Sequence, residues 1–151
     1  MSLTKNMPFS LVLTAPPEKG ARILILDNDE DILIDLERVL ESDGYSTETA
    51  INYEQASALL MQQRFDLLVL DDHLSDRDCI QSVVDLQCAD LIPPFIVVTY
   101  HCRPSQGERA RLWILGVSAL INKHAHDELA QTVRTMINPQ DRGLSRQRPL
   151  D

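Results

Sequence analysis

The sequence predicts an α/β domain, a doubly wound parallel sheet of five strands with helices on both faces. Three strand-length runs, RILIL at 22–26, DLLVL at 66–70 and FIVVT at 95–99, are continuously apolar, as strands become when helices cover both faces of their sheet. Between them, apolar residues recur at helical spacing. Strand-like and helix-like stretches also alternate along the chain, which is the pattern of βαβ units. With 151 residues, 44% of them hydrophobic, the chain has the size of one domain with a real core.

Residues 1–20 read as an extension and linker. Ala15-Pro16-Pro17-Glu18-Lys19-Gly20 is rich in chain breakers, and the preceding PFSLVLT is too short to span a bilayer or to serve as a signal core. RILIL is then the first interior strand, and Ile32, Leu36, Val39 and Leu40 give the first helix its buried face. YSTETA at 45–50 alternates polar with less polar residues and suits a sheet edge. Ala56, Leu59 and Leu60 mark the second helix, and DLLVL the second interior strand. Ser75 with Asp78 has the capping-box spacing, so a third helix is expected to start there. FIVVT is the third interior strand. Ser105 with Glu108 repeats the capping signal for a fourth helix, which Gly116 ends. VSALIN at 117–122 supplies the second edge, and Leu129, Val133, Met136 and Ile137 a fifth helix that Asn138-Pro139 stops. The domain therefore spans 21–138, and 139–151 form a polar tail.

A formal charge of −9 and a pI near 4.8 argue against direct nucleic-acid binding, since a phosphate backbone repels an acidic surface. Cys79, Cys88 and Cys102 make an odd count without CxxC spacing, so buried thiols in a reducing compartment are expected rather than disulfides or a zinc ribbon. Without a membrane segment, the expected location is cytoplasmic.

The first strand runs directly into Asp27, Asn28, Asp29, Glu30 and Asp31. So many carboxylates repel one another unless a cation sits among them. In open α/β sheets, ligands bind beyond the carboxyl ends of the strands. Here those ends carry Asp27-Asn28, Asp71-Asp72, Thr99 and, after the fifth strand, Lys123. Three carboxylates, a hydroxyl and an ammonium group are expected to meet in one crevice. A strand-end aspartate alone is most often a helix cap, and a lone Thr99 or Lys123 is a strand end or a solvated lysine. Their joint order is what points to chemistry.

A calcium loop fails, because Ile32 stands at position six, where glycine is needed, and Arg38 at position twelve, where a bidentate glutamate is needed. ILILDNDED also resembles the first motif of haloacid dehalogenase-like phosphatases, but Asp31 takes the Thr/Val place, and no strand ending in paired acids follows Lys123. The ordered set ILILDNDEDI, FDLLVLDDHLSD, PFIVVTYH and GVSALINKH resembles the receiver domain of bacterial two-component response regulators, over about residues 21 to 137. That resemblance implies a flavodoxin-like sheet of order 2-1-3-4-5 and a phosphoacceptor signalling domain rather than an enzyme, with at most slow self-dephosphorylation.

The resemblance places the phosphate-accepting carboxylate at Asp71, the hydroxyl switch at Thr99 and the phosphate-pairing lysine at Lys123. Mg²⁺ would be held by Asp27, Asn28, Asp71 and the backbone carbonyl of His73. It further implies a phosphohistidine donor on a sensor histidine kinase or phosphotransfer protein. The output face would comprise the fourth helix, fifth strand and fifth helix, with Trp113 beside Arg109, Arg111 and Leu112 as a contact for a homodimer mate. Asp72, Asp76 and Asp78 are expected as solvated charges or caps.

Several positions depart from the family pattern. Asn28 replaces the second acid of the pair, at a cost on the order of several kcal/mol of attraction for a divalent ion at an effective dielectric of about 20, so weak Mg²⁺ binding is expected. Tyr100 follows the threonine where a small residue is usual, and would restrict access to Asp71. Leu120 takes the place of the aromatic that moves with the threonine. His124 replaces the proline after the lysine, removing the main reason for a cis peptide, and Cys79 replaces a glycine. These departures motivate the rival reading, a degenerate receiver that binds a protein partner without being phosphorylated.

Overall fold

A computed structural model of the chain describes residues 20–100 and 104–138. The elements alternate as β1 (Arg22–Leu26), α1 (Glu30–Ser42), β2 (Ser46–Ala50), α2 (Tyr53–Gln62), β3 (Leu67–Asp71), α3 (Cys79–Cys88), β4 (Phe95–Thr99), α4 (Gln106–Leu115), β5 (Leu120–Asn122) and α5 (His126–Ile137). All five strands pair in parallel, in the order β2-β1-β3-β4-β5. The three continuously apolar strands are the interior ones, and the two weaker strands are the edges.

Alternation along the strands sends side chains to two separate cores. Leu24, Leu26, Leu68, Leu70, Phe95 and Val97 pack with Ala56, Leu60, Val83, Leu86 and Leu112 of α2, α3 and α4. Ile23, Ile25, Leu67, Val69, Ile96, Val98 and Ile121 pack with Ile32, Leu36, Leu40, Leu129 and Val133 of α1 and α5. Each such side chain contributes about 1.5–3 kcal/mol on burial. The doubly covered sheet follows from that arithmetic.

Register sets the height of the strand ends. Leu26 pairs with Leu70, Asp71 with Val98, and Thr99 with Asn122. Asp27 and Asp71 therefore leave neighbouring strands at one level, with Thr99 one residue beyond on the next strand. Leu112 of α4 is buried, whereas its neighbour Trp113 is half exposed and Ile114 mostly so. Only the latter two of these apolar residues reach the outer face, contrary to the expected grouping of Leu112 with Trp113.

The helix signals divide. Ser105 and Glu108 form the expected capping box at α4, and Gly116 ends that helix with φ 103°, a conformation that favours glycine. The box expected at Ser75 does not form. α3 begins three residues later, after Asp78, whose side chain makes no cap hydrogen bond. The intervening loop is committed elsewhere: His73 bridges to Asp78, Asp76 accepts from the Tyr53 amide, and the Arg77 guanidinium pairs with Asp85 and lies over the Tyr53 ring at 4.1 Å. Cys79 sits in the first turn of α3 without positive φ, so its side chain replaces a glycine without strain. Cys79 is buried, but Cys88 is exposed at the end of α3, correcting the expectation of buried thiols. Cys102 and the PFSLVLT segment lie outside the described residues.

Candidate functional site

The acidic burst after β1 sorts itself by position. Asp29 is the N-cap of α1 and accepts from the amides of Asp31 (2.9 Å) and Ile32 (3.4 Å). Glu30 and Asp31 occupy the first turn, where negative charge complements the helix dipole. Asn28 is exposed. Asp27 alone turns inward and is fully buried.

It meets two of the predicted partners there. Asp71 is 1% exposed, Thr99 4% and Lys123 6%. The Lys123 Nζ lies 2.9 Å from Asp27 Oδ2 and 3.0 Å from Asp71 Oδ1, so one ammonium bridges two carboxylates carried by different strands. Backbone groups fix the arrangement: the Asp29 amide donates to Asp27 Oδ1 at 2.9 Å, the His73 amide to Asp71 Oδ1 at 3.2 Å, and the Lys123 amide to the Thr99 carbonyl at 2.7 Å.

Two buried acids face one base, and the balance of charge shows in their acidities. Burial pushes Asp27 up to about 6, against the opposing pull of the Asp29 amide and Lys123, while the nearby Asp71 charge adds to the rise. Burial likewise raises Asp71, with Lys123 opposing. Burial would lower Lys123, but the hydrogen bonds and charges of Asp27 and Asp71 outweigh it and hold the lysine above its ordinary value. Asp72, counted with the crevice carboxylates but also expected as a solvated charge or cap, lies between the two expectations. It is half buried, and burial raises its pKa, with the Lys123 charge among the influences opposing the rise.

Among the described residues, no group of three His, Cys, Asp or Glu side chains is arranged to hold a metal ion. A hydrated divalent ion needs less, because Mg²⁺ keeps several waters and takes one or two carboxylates. The donor set fits that requirement. The buried Asp27 Oδ2 has Lys123 at ion-pair distance but no aligned hydrogen-bond donor, and the cluster carries more negative than positive charge. Asp27, Asp71 and, from the rim, Asn28 are the side chains available.

At the mouth of the crevice, the Tyr100 ring lies 5.1 Å from Lys123 Nζ and 5.3 Å from the His124 ring. The described residues contain no cis peptide, so the bond into His124 is trans, as the missing proline predicts.

The sequence model of the response regulator receiver domain matches residues 23–134. The chain belongs to the receiver domain family. Over 84 residues this receiver is 36% identical to the alginate biosynthesis transcriptional regulatory protein AlgB of Pseudomonas aeruginosa, covering 56% of the chain and 19% of that protein. It is 32% identical over 78 residues to the transcriptional regulatory protein PrrA of Mycobacterium tuberculosis, covering 52% of the chain and 34% of that protein. The match thus spans about a fifth to a third of these curated relatives. Among solved structures, a CheY-like receiver from Methanospirillum hungatei superposes with a TM-score of 0.73 at 24% identity, covering 82% of this chain and 98% of that one. The receiver of Francisella response regulator 1452 gives 0.71 at 20%, covering 80% and 99%. Receivers are signalling domains of two-component systems, and they generally bind Mg²⁺ at the phosphorylation site. No helix among the described residues is long and apolar enough to cross a membrane.

Proposed function

We propose that this receiver accepts a phosphoryl group on Asp71 from a phosphohistidine of a sensor histidine kinase or phosphotransfer protein in the cytoplasm. The observation that carries the reading is the buried Asp27–Lys123–Asp71 cluster at the carboxyl edge of the sheet. In the transfer, an Asp71 carboxylate oxygen forms a bond to phosphorus. The phosphorus–nitrogen bond breaks, and its electron pair returns to the imidazole, which takes up a proton.

The residues divide the work. Asp27, Asn28, Asp71 and the His73 carbonyl would hold Mg²⁺. When bound, that ion neutralises the negative charge that gathers as carboxylate and phosphoryl group meet. Lys123 already faces Asp71 and offers a compact charge to a phosphoryl oxygen. Thr99, buried one residue beyond the level of Asp71, would donate a hydrogen bond to the acylphosphate and carry the signal by moving toward it. The output face would be α4, β5 and α5, where Trp113 and Ile114 are exposed and offer an apolar contact to a second copy. With a charge of −9, this domain acts through protein contacts rather than on nucleic acid directly.

A second reading is favoured by the bridging lysine. Lys123 contacts both acids, and Tyr100 lies against it, an arrangement that would also serve a receiver signalling without phosphorylation. Incubation with a small phosphodonor and Mg²⁺, followed by intact mass, separates the two. The expected result is a gain of one phosphoryl group on the wild type and none on Asp71→Asn. An unlabelled wild type would favour the phosphorylation-independent reading, and equal labelling of Asp71→Asn would reject Asp71 as acceptor.

A further inference from the structure

Three strand-end residues without a role in phosphoryl transfer converge around Lys123. The lysine ammonium lies over the Tyr100 ring, 5.1 Å from its centroid, within the range at which a cation is drawn to an aromatic face. The His124 ring stands 5.3 Å from that of Tyr100 at a 38° tilt, within the range of favourable aromatic pairs. Asn122 ties the two backbones together: its Oδ1 accepts from the His124 amide at 2.8 Å, and its Nδ2 reaches the Tyr100 carbonyl at 3.5 Å. The same ammonium that touches both buried acids therefore also anchors an aromatic ring, which is itself 40% exposed at the rim of the crevice.

We propose that Tyr100 is an aromatic cap, anchored on the Lys123 ammonium and braced by His124, that screens a phosphoryl group on Asp71 from water and so lengthens its life. This rests on the phosphoacceptor reading. In the reaction opposed, a water oxygen forms a bond to phosphorus, and the bond from phosphorus to the Asp71 carboxyl oxygen breaks. The electron pair returns to the carboxylate, and the water proton leaves with inorganic phosphate. A ring held by the ammonium obstructs the approach of that water. A side chain of similar bulk without an aromatic face has nothing to hold it there.

The test compares the wild-type chain with Tyr100→Phe, Tyr100→Leu and His124→Ala. Phosphoryl lifetime is followed by intact mass after removal of the small phosphodonor, and the Lys123 Cε protons are followed by NMR in the unphosphorylated chain. Tyr100→Phe keeps the face and should hold the lifetime within about twofold, with the ring-current displacement of the lysine protons retained. Tyr100→Leu should shorten the lifetime about fivefold or more and abolish the displacement, with His124→Ala intermediate. Equal lifetimes for Tyr100→Leu and the wild type, or no ring-current displacement in the wild type, would overturn the cap. A wild type that shows the displacement but takes no phosphate would instead sink the phosphoacceptor reading, and the lifetime role with it.

Discussion

Residue by residue, the site has a deficit at its rim and a surplus in its interior. Asn28 offers an amide oxygen but no charge, and it is exposed, so screening reduces the several kcal/mol that a unit charge would add in a less polar setting. Asp72, half buried next to Asp71, adds the third carboxylate that the strand ends were expected to bring to the crevice. Asn28→Asp should therefore strengthen Mg²⁺ binding by about tenfold, equivalent to ~1.4 kcal/mol. Titration of Mg²⁺ against Trp113 fluorescence or calorimetric heat measures it, and an unchanged dissociation constant would show that Asp72 already makes up the missing charge. The sequence made Asp27 and Asp71 legible because each stands at the end of a continuously apolar strand, and Lys123 because it follows the short fifth strand in the order of the family pattern; register does the rest. It left the contacts of Asn122 and the anchoring of the Tyr100 ring on Lys123 unassigned, because these come from side-chain directions at strand ends, where the two-residue alternation no longer holds.

At the scale of single elements, two identical capping signals had opposite fates. Ser105 and Glu108 exchange hydrogen bonds in both directions at 3.2 Å and 3.0 Å, since nothing else competes for them among the described contacts. Ser75 and Asp78 have the same spacing, but Asp78 is drawn into a bridge with His73, and the intervening Asp76 and Arg77 are bound to Tyr53 and Asp85. Tertiary contacts overrode a local signal, and the loop after Asp71 runs to residue 78 before the helix begins. Ser105→Ala should then cost about 1 kcal/mol, read as a shift of the urea midpoint without a change in slope. Ser75→Ala should leave the midpoint within about 0.5 kcal/mol. An equal loss from both substitutions would mean that the box at Ser105 is not what stabilises α4. The edge strands were readable for a related reason: β2 alternates exposed and covered positions, so its sequence alternates, whereas β3 and β4 are buried throughout and read as unbroken apolar runs.

For the molecule as a whole, the buried cluster couples global stability to both protons and divalent cations. Asp27 has an ordinary value of 3.8 and is pushed by burial to about 6 in the folded chain. Between those values the folded state binds more protons than the unfolded one, so the stability from this group is complete below about pH 4 and is lost as the pH rises through 6. Asp71 and Asp72 are raised as well and act in the same direction. Without divalent cations, the chain should therefore lose on the order of 2 kcal/mol from these acids between pH 4.5 and pH 7.5. Asp27→Asn should flatten that slope. Mg²⁺ at ten times its dissociation constant should restore ~1.4 kcal/mol at pH 7.5, and much less at pH 4.5, where the acids that would hold it are protonated. Urea unfolding at the two pH values, with and without Mg²⁺, measures all four corners. A metal-free stability that rises from pH 4.5 to 7.5 and is the same with Mg²⁺ would mean that Lys123 alone balances the acids, leaving a pocket closed to the cation that the proposed phosphoryl transfer onto Asp71 requires.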